Sequence, residues 1–401
     1  MTAALFPSNF SFAALPSFSA ILAAPKGDLQ PASQLKRQFN GNKDDKIRVA
    51  LFVGSDITAL IIANKVVQAL KDQGFRPAVY FPDHKDPKNP NAQNFWVKEL
   101  TFYERFLPKN VITPLLDGEA LQEGVIYTPD QMRAKYGITV QHVSDVNDPD
   151  FLQKEIIEKR TIGGINIRGY QKFLKSTVDI FNAQQLDING EKRTGFLWNM
   201  HPGKLGKKDS EIEYRGIWTP LRVMLNEDQT NYWTLHEIDN SERFDTGSIL
   251  ERDPRVINAT EPMINIYTGF SDVGVSLILR HLEKFRDGEL HVQSHKREVR
   301  GPLHSYPDSE EWNRFLAKGF RLVDPEAYVQ FCLNTFTTQK TKEGREIQNK
   351  MFHMLSETIV SWYAANSVDY KNAYGPRVHP EINRLIPEDN SQQQSAPLPA
   401  A

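Results

Sequence analysis

Residues 47–82 restrict the fold before anything else does. Ile47-Arg48-Val49-Ala50-Leu51-Phe52-Val53 is a short apolar, β-branched run bounded by charge, the pattern of a strand buried on both faces. It closes on Gly54-Ser55-Asp56, after which Ile57, Leu60, Ile61, Ala63, Val66, Val67 and Leu70 recur at helical spacing up to Gly74. Ser55 or Asp56 is placed to cap that helix. Pro77-Ala78-Val79-Tyr80-Phe81-Pro82 then reads as a second strand. Strand, tight turn, helix and strand make a βαβ unit. Such a unit implies a parallel sheet with binding sites at the carboxyl ends of its strands.

Downstream, a polar loop at 82–94 and a mixed region to about 155 precede a further strand, Thr161-Ile162-Gly163-Gly164-Ile165-Asn166-Ile167. Gly169-Tyr170 reads as a turn leading into Phe173 and Leu174, and Gly195-Phe196-Leu197-Trp198-Asn199 is another short apolar run. From about Pro262 the pattern changes to helices, for example Val273 to Phe285 and Glu346 to Tyr363. The segment from about Asn372 is rich in Pro, Asn, Gln and Ser and reads as coil. The fold class this predicts is α/β, a Rossmann-like, mostly parallel sheet with a mainly helical C-terminal region. The expected organisation is an N-terminal extension (1–45), a catalytic domain (46–260), a helical region (261–370) and a coil tail (371–401).

Charge and composition narrow the function. Lys plus Arg (48) nearly balances Asp plus Glu (50), leaving a net charge of −2, so no global field favours a nucleic-acid backbone. The single cysteine, Cys332, lies in the apolar context Tyr328-Val329-Gln330-Phe331-Cys332-Leu333 and reads as a core residue. One cysteine allows neither an internal disulfide nor a thiolate-rich zinc site and fits a reducing, cytoplasmic setting. No apolar stretch approaches the roughly 18 to 20 residues that span a bilayer, so no membrane partner is expected. Residues 1–25 carry no charge, lack a basic start and are interrupted by Pro7 and Pro16. That is a poor signal peptide; an extension packed on the body or on a partner subunit is the expectation.

Four ordered segments carry the chemistry. They are Trp198-Asn199-Met200-His201-Pro202-Gly203, Tyr214-Arg215-Gly216-Ile217-Trp218-Thr219-Pro220, Trp233-Thr234-Leu235-His236-Glu237-Ile238-Asp239, and Phe244-Asp245-Thr246-Gly247. Together they resemble the folate-dependent formyltransferase family, which includes glycinamide-ribonucleotide and methionyl-tRNA formyltransferases, sugar N-formyltransferases and formyltetrahydrofolate hydrolases. The shared features are an Asn-x-His-Pro step after a strand, a Tyr-Arg-Gly step, a hairpin with a histidine near its end, and an Asp-Thr-Gly step. Within that family the chain looks most like formyltransferase-like proteins of unassigned substrate, on the strength of Tyr306-Pro307-Asp308 through Leu322-Val323-Asp324. The resemblance implies a catalytic set of Asn199, His201 and Asp245. It also implies 10-formyltetrahydrofolate as co-substrate, held by Gly169, Tyr170, Gln171, Lys172, Phe173 and Leu174 and by Phe244, with no metal.

The chemistry asks for the same residue types. Formyl transfer passes through a tetrahedral intermediate with a developing oxyanion, which needs a preorganised donor such as the Asn199 amide. The attacking amine loses a proton and the folate nitrogen gains one, work suited to a histidine titrating near neutrality, His201. A carboxylate, Asp245, favours the charged imidazole and orients it. Asn199 and His201 project to one side if the chain stays extended between them. The bland alternative makes Asn199 a turn residue, His201 a satisfied core histidine and Asp245 the start of a turn. His236, in an alternating stretch, reads as structural. Arg215 either grips a substrate anion or bridges carboxylates.

Two departures from the family pattern matter. Gly203-Lys204-Leu205-Gly206 replaces the usual Ser-Leu-Leu-Pro, with Lys207 to Glu213 inserted before Tyr214, and Gln171-Lys172-Phe173-Leu174 stands where the family has a Met-Arg-Ile-Leu or similar folate segment. The acceptor therefore does not carry over, beyond an amine of a small molecule. Water as acceptor, which would make the chain a hydrolase, and a non-catalytic binding protein are the alternatives. A homodimer is an open expectation, the C-terminal helices either bounding the acceptor pocket or forming a subunit interface. His291 and His295 have a metal-like spacing within a charged stretch that reads as solvated surface.

Overall fold

A computed structural model describes residues 47–375 apart from 84–88, 170, 189–190, 207–212, 242, 259, 291–298 and 300–301. The N-terminal extension, Tyr170, the His291/His295 pair and the chain beyond 375 lie outside the described residues. The opening runs form β1 (Arg48–Val53) and β2 (Arg76–Pro82), joined by helix α1 (Ile57–Asp72). Asp56 caps α1, its carboxylate accepting from the Ala59 N–H at 3.0 Å, which satisfies a donor the first turn leaves orphaned.

Nine further strands follow among the described residues: β3 (Thr139–Val143), β4 (Thr161–Ile167), β5 (Gln185–Ile188), β6 (Glu191–Thr194), β7 (Phe196–His201), β8 (Arg215–Gly216), β9 (Thr230–Glu237), β10 (Ile249–Val256) and β11 (Leu303–His304). Seven form one sheet in the order β10-β9-β7-β4-β1-β2-β3. Its five strands from β7 to β3 are parallel, while β9 pairs antiparallel with β7 and β10 antiparallel with β9. The α/β, mostly parallel sheet read from the sequence is therefore the observed one. β3 occupies the edge, and its polar Gln141 and His142 explain why no apolar run announces it. The pairs β5/β6 and β8/β11 form separate two-stranded sheets.

The sheet is covered on both faces, as its apolar strands require. Along β1, Val49, Leu51 and Val53 enter one cluster with α1, while Ala50 and Phe52 enter a second with Phe173, Val178 and Phe181. The helix Ser271–Asp287 belongs to the first face, where Leu277, Ile278 and Leu282 are buried beside α1 and Lys65 pairs with Asp272 at 2.5 Å. The C-terminal region thus supplies part of the layer that closes the sheet.

A helical stretch from Phe95 to Asp117 carries π-type turns at Phe102–Phe106 and Pro108–Ile112. Pro108 lacks an N–H and its ring crowds the carbonyl of Glu104, so the regular ladder cannot pass through it. The helices Pro325–Phe336, Lys342–Ala365 and Ser367–Tyr374 pack on this stretch through aromatic rings, with Phe102 and Trp362 stacked at 4.5 Å and Tyr103 edge-on to Tyr328 at 4.9 Å. Cys332 is fully buried there, and burial pushes its thiol pKa up. No helix of the described residues is long and apolar enough to cross a membrane.

Candidate active site

Sheet register places three polar residues side by side. Asn166 on β4 faces Asn199 on β7, and Asn199 faces His236 on β9. Their side chains lie on the face opposite Ile165, Trp198, Met200 and Leu235, all of which enter the larger core. Asn166 Nδ2 donates to Asn199 Oδ1 at 2.8 Å, and Asn199 Nδ2 lies 2.9 Å from His236 Nε2. His236 Nδ1 is 2.7 Å from the Glu237 carbonyl. A carbonyl only accepts, so Nδ1 carries the hydrogen and Nε2 is left to accept from Asn199. The amide of Asn199 is thereby fixed from both sides by groups on adjacent strands.

β7 stays extended through His201, so Asn199 and His201 share a face. The ring of His201 is 3% exposed, with Nε2 2.6 Å from the Tyr214 carbonyl and Nδ1 3.4 Å from Asp245 Oδ1. Both ring nitrogens face hydrogen-bond acceptors. Asp245 reaches the site from the loop after β9. Its φ of 56° is left-handed, a conformation Asp tolerates better than most residues. Thr246 anchors the loop through its hydroxyl, 3.2 Å from both Asp239 carboxylate oxygens.

Asp245 collects partners from three elements. Oδ1 lies 3.3 Å from Asn199 Nδ2 and 3.5 Å from His236 Nε2, and Oδ2 accepts from the Gly216 N–H of β8 at 2.8 Å. Burial alone would raise its pKa. The facing His201 ring above all, with the Gly216 N–H, outweighs burial and holds the carboxyl well below the usual carboxylate range. Asp245 is therefore ionised at neutral pH. Arg215 is buried and donates from Nη2 to the Phe244 carbonyl at 2.9 Å, tying β8 to the same loop.

Asn166, Asn199, His201, Gly216, His236 and Asp245 all line a cavity of about 410 Å³, a size that suits a small-molecule ligand. Of the positions assigned to folate by sequence, Gly169, Gln171, Lys172, Phe173 and Phe244 line this cavity, whereas Leu174 does not. Leu174 instead caps the helix Lys175–Ala183 and is 42% exposed. Gln171 touches the cavity, but its amide is committed elsewhere. Nε2 donates to the Asp83 and Ser144 carbonyls, each at 2.8 Å, and Oε1 accepts from the Val146 N–H at 2.9 Å. That makes it a clamp between loops. Phe173 is 5% exposed and packs edge-on to Phe52 at 5.1 Å.

Sequence reasoning missed Asn166 and assigned His236 a structural part, yet both hold Asn199 directly. The only available signal was that each is a polar residue on a strand otherwise facing core. It also left open what the C-terminal region does here. β11 pairs with β8, His304 opposite Gly216, and brings Leu303, His304, Ser305 and Tyr306 to the cavity. Ser305 is held by the amide of Asn89 at 2.6 Å.

The fold and site together define an α/β protein whose cavity, at the carboxyl ends of β4 and β7, joins an amide, an imidazole and a buried carboxylate. No family model and no curated protein matches the sequence. Among solved structures the chain is similar to glycinamide ribonucleotide transformylase 1 from Symbiobacterium toebii, at 11% identity and a TM-score of 0.42, covering 64% of this chain and 95% of that one. It is similar to a formyltetrahydrofolate deformylase from Pseudomonas syringae at 14% identity and a TM-score of 0.41, covering 65% and 67%. A sugar N-formyltransferase from Shewanella sp. is similar at 12% identity and a TM-score of 0.38, covering 76% and 87%.

Proposed function

We propose that the chain transfers the formyl group of 10-formyltetrahydrofolate to an amine of a small molecule. The observation that carries this reading is the convergence of Asn199, His201 and Asp245, from β7 and a distant loop, on one cavity. The order of the four sequence segments supports it independently.

Asn199 polarises the formyl oxygen. Of its two amide hydrogens, one points to His236 at 2.9 Å and the other to Asp245 at the longer 3.3 Å. The second is the weaker contact, and a formyl oxygen entering between Asn199 and Asp245 takes it over while Asn166 and His236 keep the amide plane in place. His201 supplies the proton. Its Nε2 hydrogen is tied to the Tyr214 carbonyl, so the transferable one is on Nδ1, facing Asp245. His201 gives its Nδ1 proton to the leaving folate nitrogen as the carbon–nitrogen bond to folate breaks, and the proton the amine loses on forming its own bond to the formyl carbon is taken by the Asp245 carboxylate and passed to Nδ1, so ring and carboxylate both return to their starting states. Lys172, Phe173 and Phe244 are the cavity residues we assign to folate.

Incubating the protein with 10-formyltetrahydrofolate, with and without amine, tests this. Amine-dependent tetrahydrofolate release, lost about a hundredfold in His201→Ala, is the expected result. Formate release at the same rate without amine would identify water as acceptor. An unchanged rate in His201→Ala would remove the proposed chemistry.

A further inference from the structure

The order of strands reverses between the parallel β1 and β4: the connection after β1 runs through α1 on one face, and that after β4 through the helix Lys175–Ala183 on the other. At such a point the N-terminus of the first helix ordinarily holds a ligand anion. Here the chain fills that position itself. Asp56, 1% exposed, accepts from the Ala59 N–H and from Arg168 Nε, each at 3.0 Å. Arg168, at a φ of 53°, lies 4.1 Å over the Tyr267 ring and gives Nη2 to Glu104 Oε1 at 3.0 Å.

One guanidinium thus serves two carboxylates, and Glu104, unlike Asp56, lines the cavity. The Glu104 side chain is 7% exposed, and its second oxygen has no hydrogen-bond partner among the described residues. Burial lifts Glu104 to about 7; Arg168 pulls it down, Asp56 pushes it up and Arg105 tempers the result. One guanidinium shared by two buried carboxylates leaves negative charge that a cation on the cavity side of Glu104 would balance. Glu104, on the π-type turn, and Asn199, on β7, both line this one cavity.

We infer that Glu104 binds a cationic group of the acceptor and that the acceptor bears no phosphate at the end of α1. The ligand class is a diamine, one amino group reaching Asn199 and the other, as ammonium, seated on Glu104. The first half of this statement rests on the proposed formyl transfer; the charge preference at Glu104 does not.

Calorimetric titration of the full-length protein with putrescine and with inorganic phosphate tests it without any turnover. Putrescine is expected to bind the wild type, at least about tenfold more weakly to Glu104→Gln, and to recover part of that loss in Glu104→Asp. Phosphate is expected to leave the wild type untouched at millimolar concentration and to bind Asp56→Ser, where a hydroxyl keeps the helix cap and frees the position beside Arg168. Thermal melts confirm that each variant is folded. Phosphate binding to the wild type, no putrescine binding to the wild type, or equal putrescine affinity in folded Glu104→Gln would overturn the inference. A diamine that binds at Glu104 but is never formylated would sink the transfer reading and leave this one standing.

Discussion

His236 Nε2 sits 2.9 Å from Asn199 Nδ2, on the strand position directly opposite it. The relation is set by backbone pairing, since the two residues face each other across the β7/β9 ladder. His236 therefore holds the Asn199 amide, the group proposed above as donor to the formyl oxygen.

His236→Ala removes that acceptor and lets the amide turn. The expected result is a fall in kcat of about tenfold with the KM for folate within a few-fold, since the lost geometry counts in the transition state. His236→Gln, whose carbonyl accepts in the same place, should recover part of the rate. A change confined to KM would contradict the assignment.

Gly203 guards the other ring. A β-carbon there would lie 2.8 Å from His201 Nε2 and 2.7 Å from the Tyr214 carbonyl, the two atoms whose contact fixes the imidazole. One is backbone and the other a buried ring, so neither yields cheaply. Gly203→Ala should displace His201 and lower kcat at least about tenfold, while lowering thermal stability modestly. Wild-type activity in Gly203→Ala would show that the ring position does not matter.

Glu99 gives a pH test of the C-terminal packing. It is fully buried, accepts from Tyr363 at 2.6 Å and also from Tyr374, and burial outweighs both hydrogen bonds to raise it from 4.5 to about 7. Between those values the native chain holds a proton that the unfolded chain has released. Stability is then greatest below the unfolded value and falls as pH climbs to about 7. Glu99→Gln removes this dependence. Melting both proteins at pH values across that window should show the variant gaining on the wild type, by up to about 3 kcal/mol. Glu104 and Glu237, raised to about 7 in the same direction, remain in both proteins and cancel in the difference. Parallel pH dependences would contradict the protonated, buried state of Glu99.

What sequence makes visible here is what local pattern controls. The strands β1, β2, β4 and β7 are apolar runs bounded by charge or turn residues, and α1 has its periodicity and its cap. Asn199, His201 and Asp245 stand out because their neighbours form ordered segments. Asn166 and His236 do not, because their importance depends on which strand lies beside which, and register is a tertiary property. Asp56, Arg168 and Glu104 come from a helix cap, a residue just past β4 and a π-type turn, and nothing in their spacing joins them. β11 reaches β8 across a long stretch of chain, and two-residue strands carry no periodicity to read. Gln171 shows the converse: a segment can resemble a ligand-binding one while an individual side chain clamps neighbouring loops.

The central claim is that an ionised Asp245, 3.4 Å from His201 Nδ1, sustains the proton transfers of formyl transfer. The direct measurement is single-turnover formation of tetrahydrofolate from 10-formyltetrahydrofolate by Asp245→Asn, beside a fluorescence titration of folate binding. Asn keeps the shape and the Gly216 contact but not the charge. The rate should fall about a hundredfold or more while folate affinity changes no more than about threefold. A variant that turns over as fast as the wild type would contradict the account.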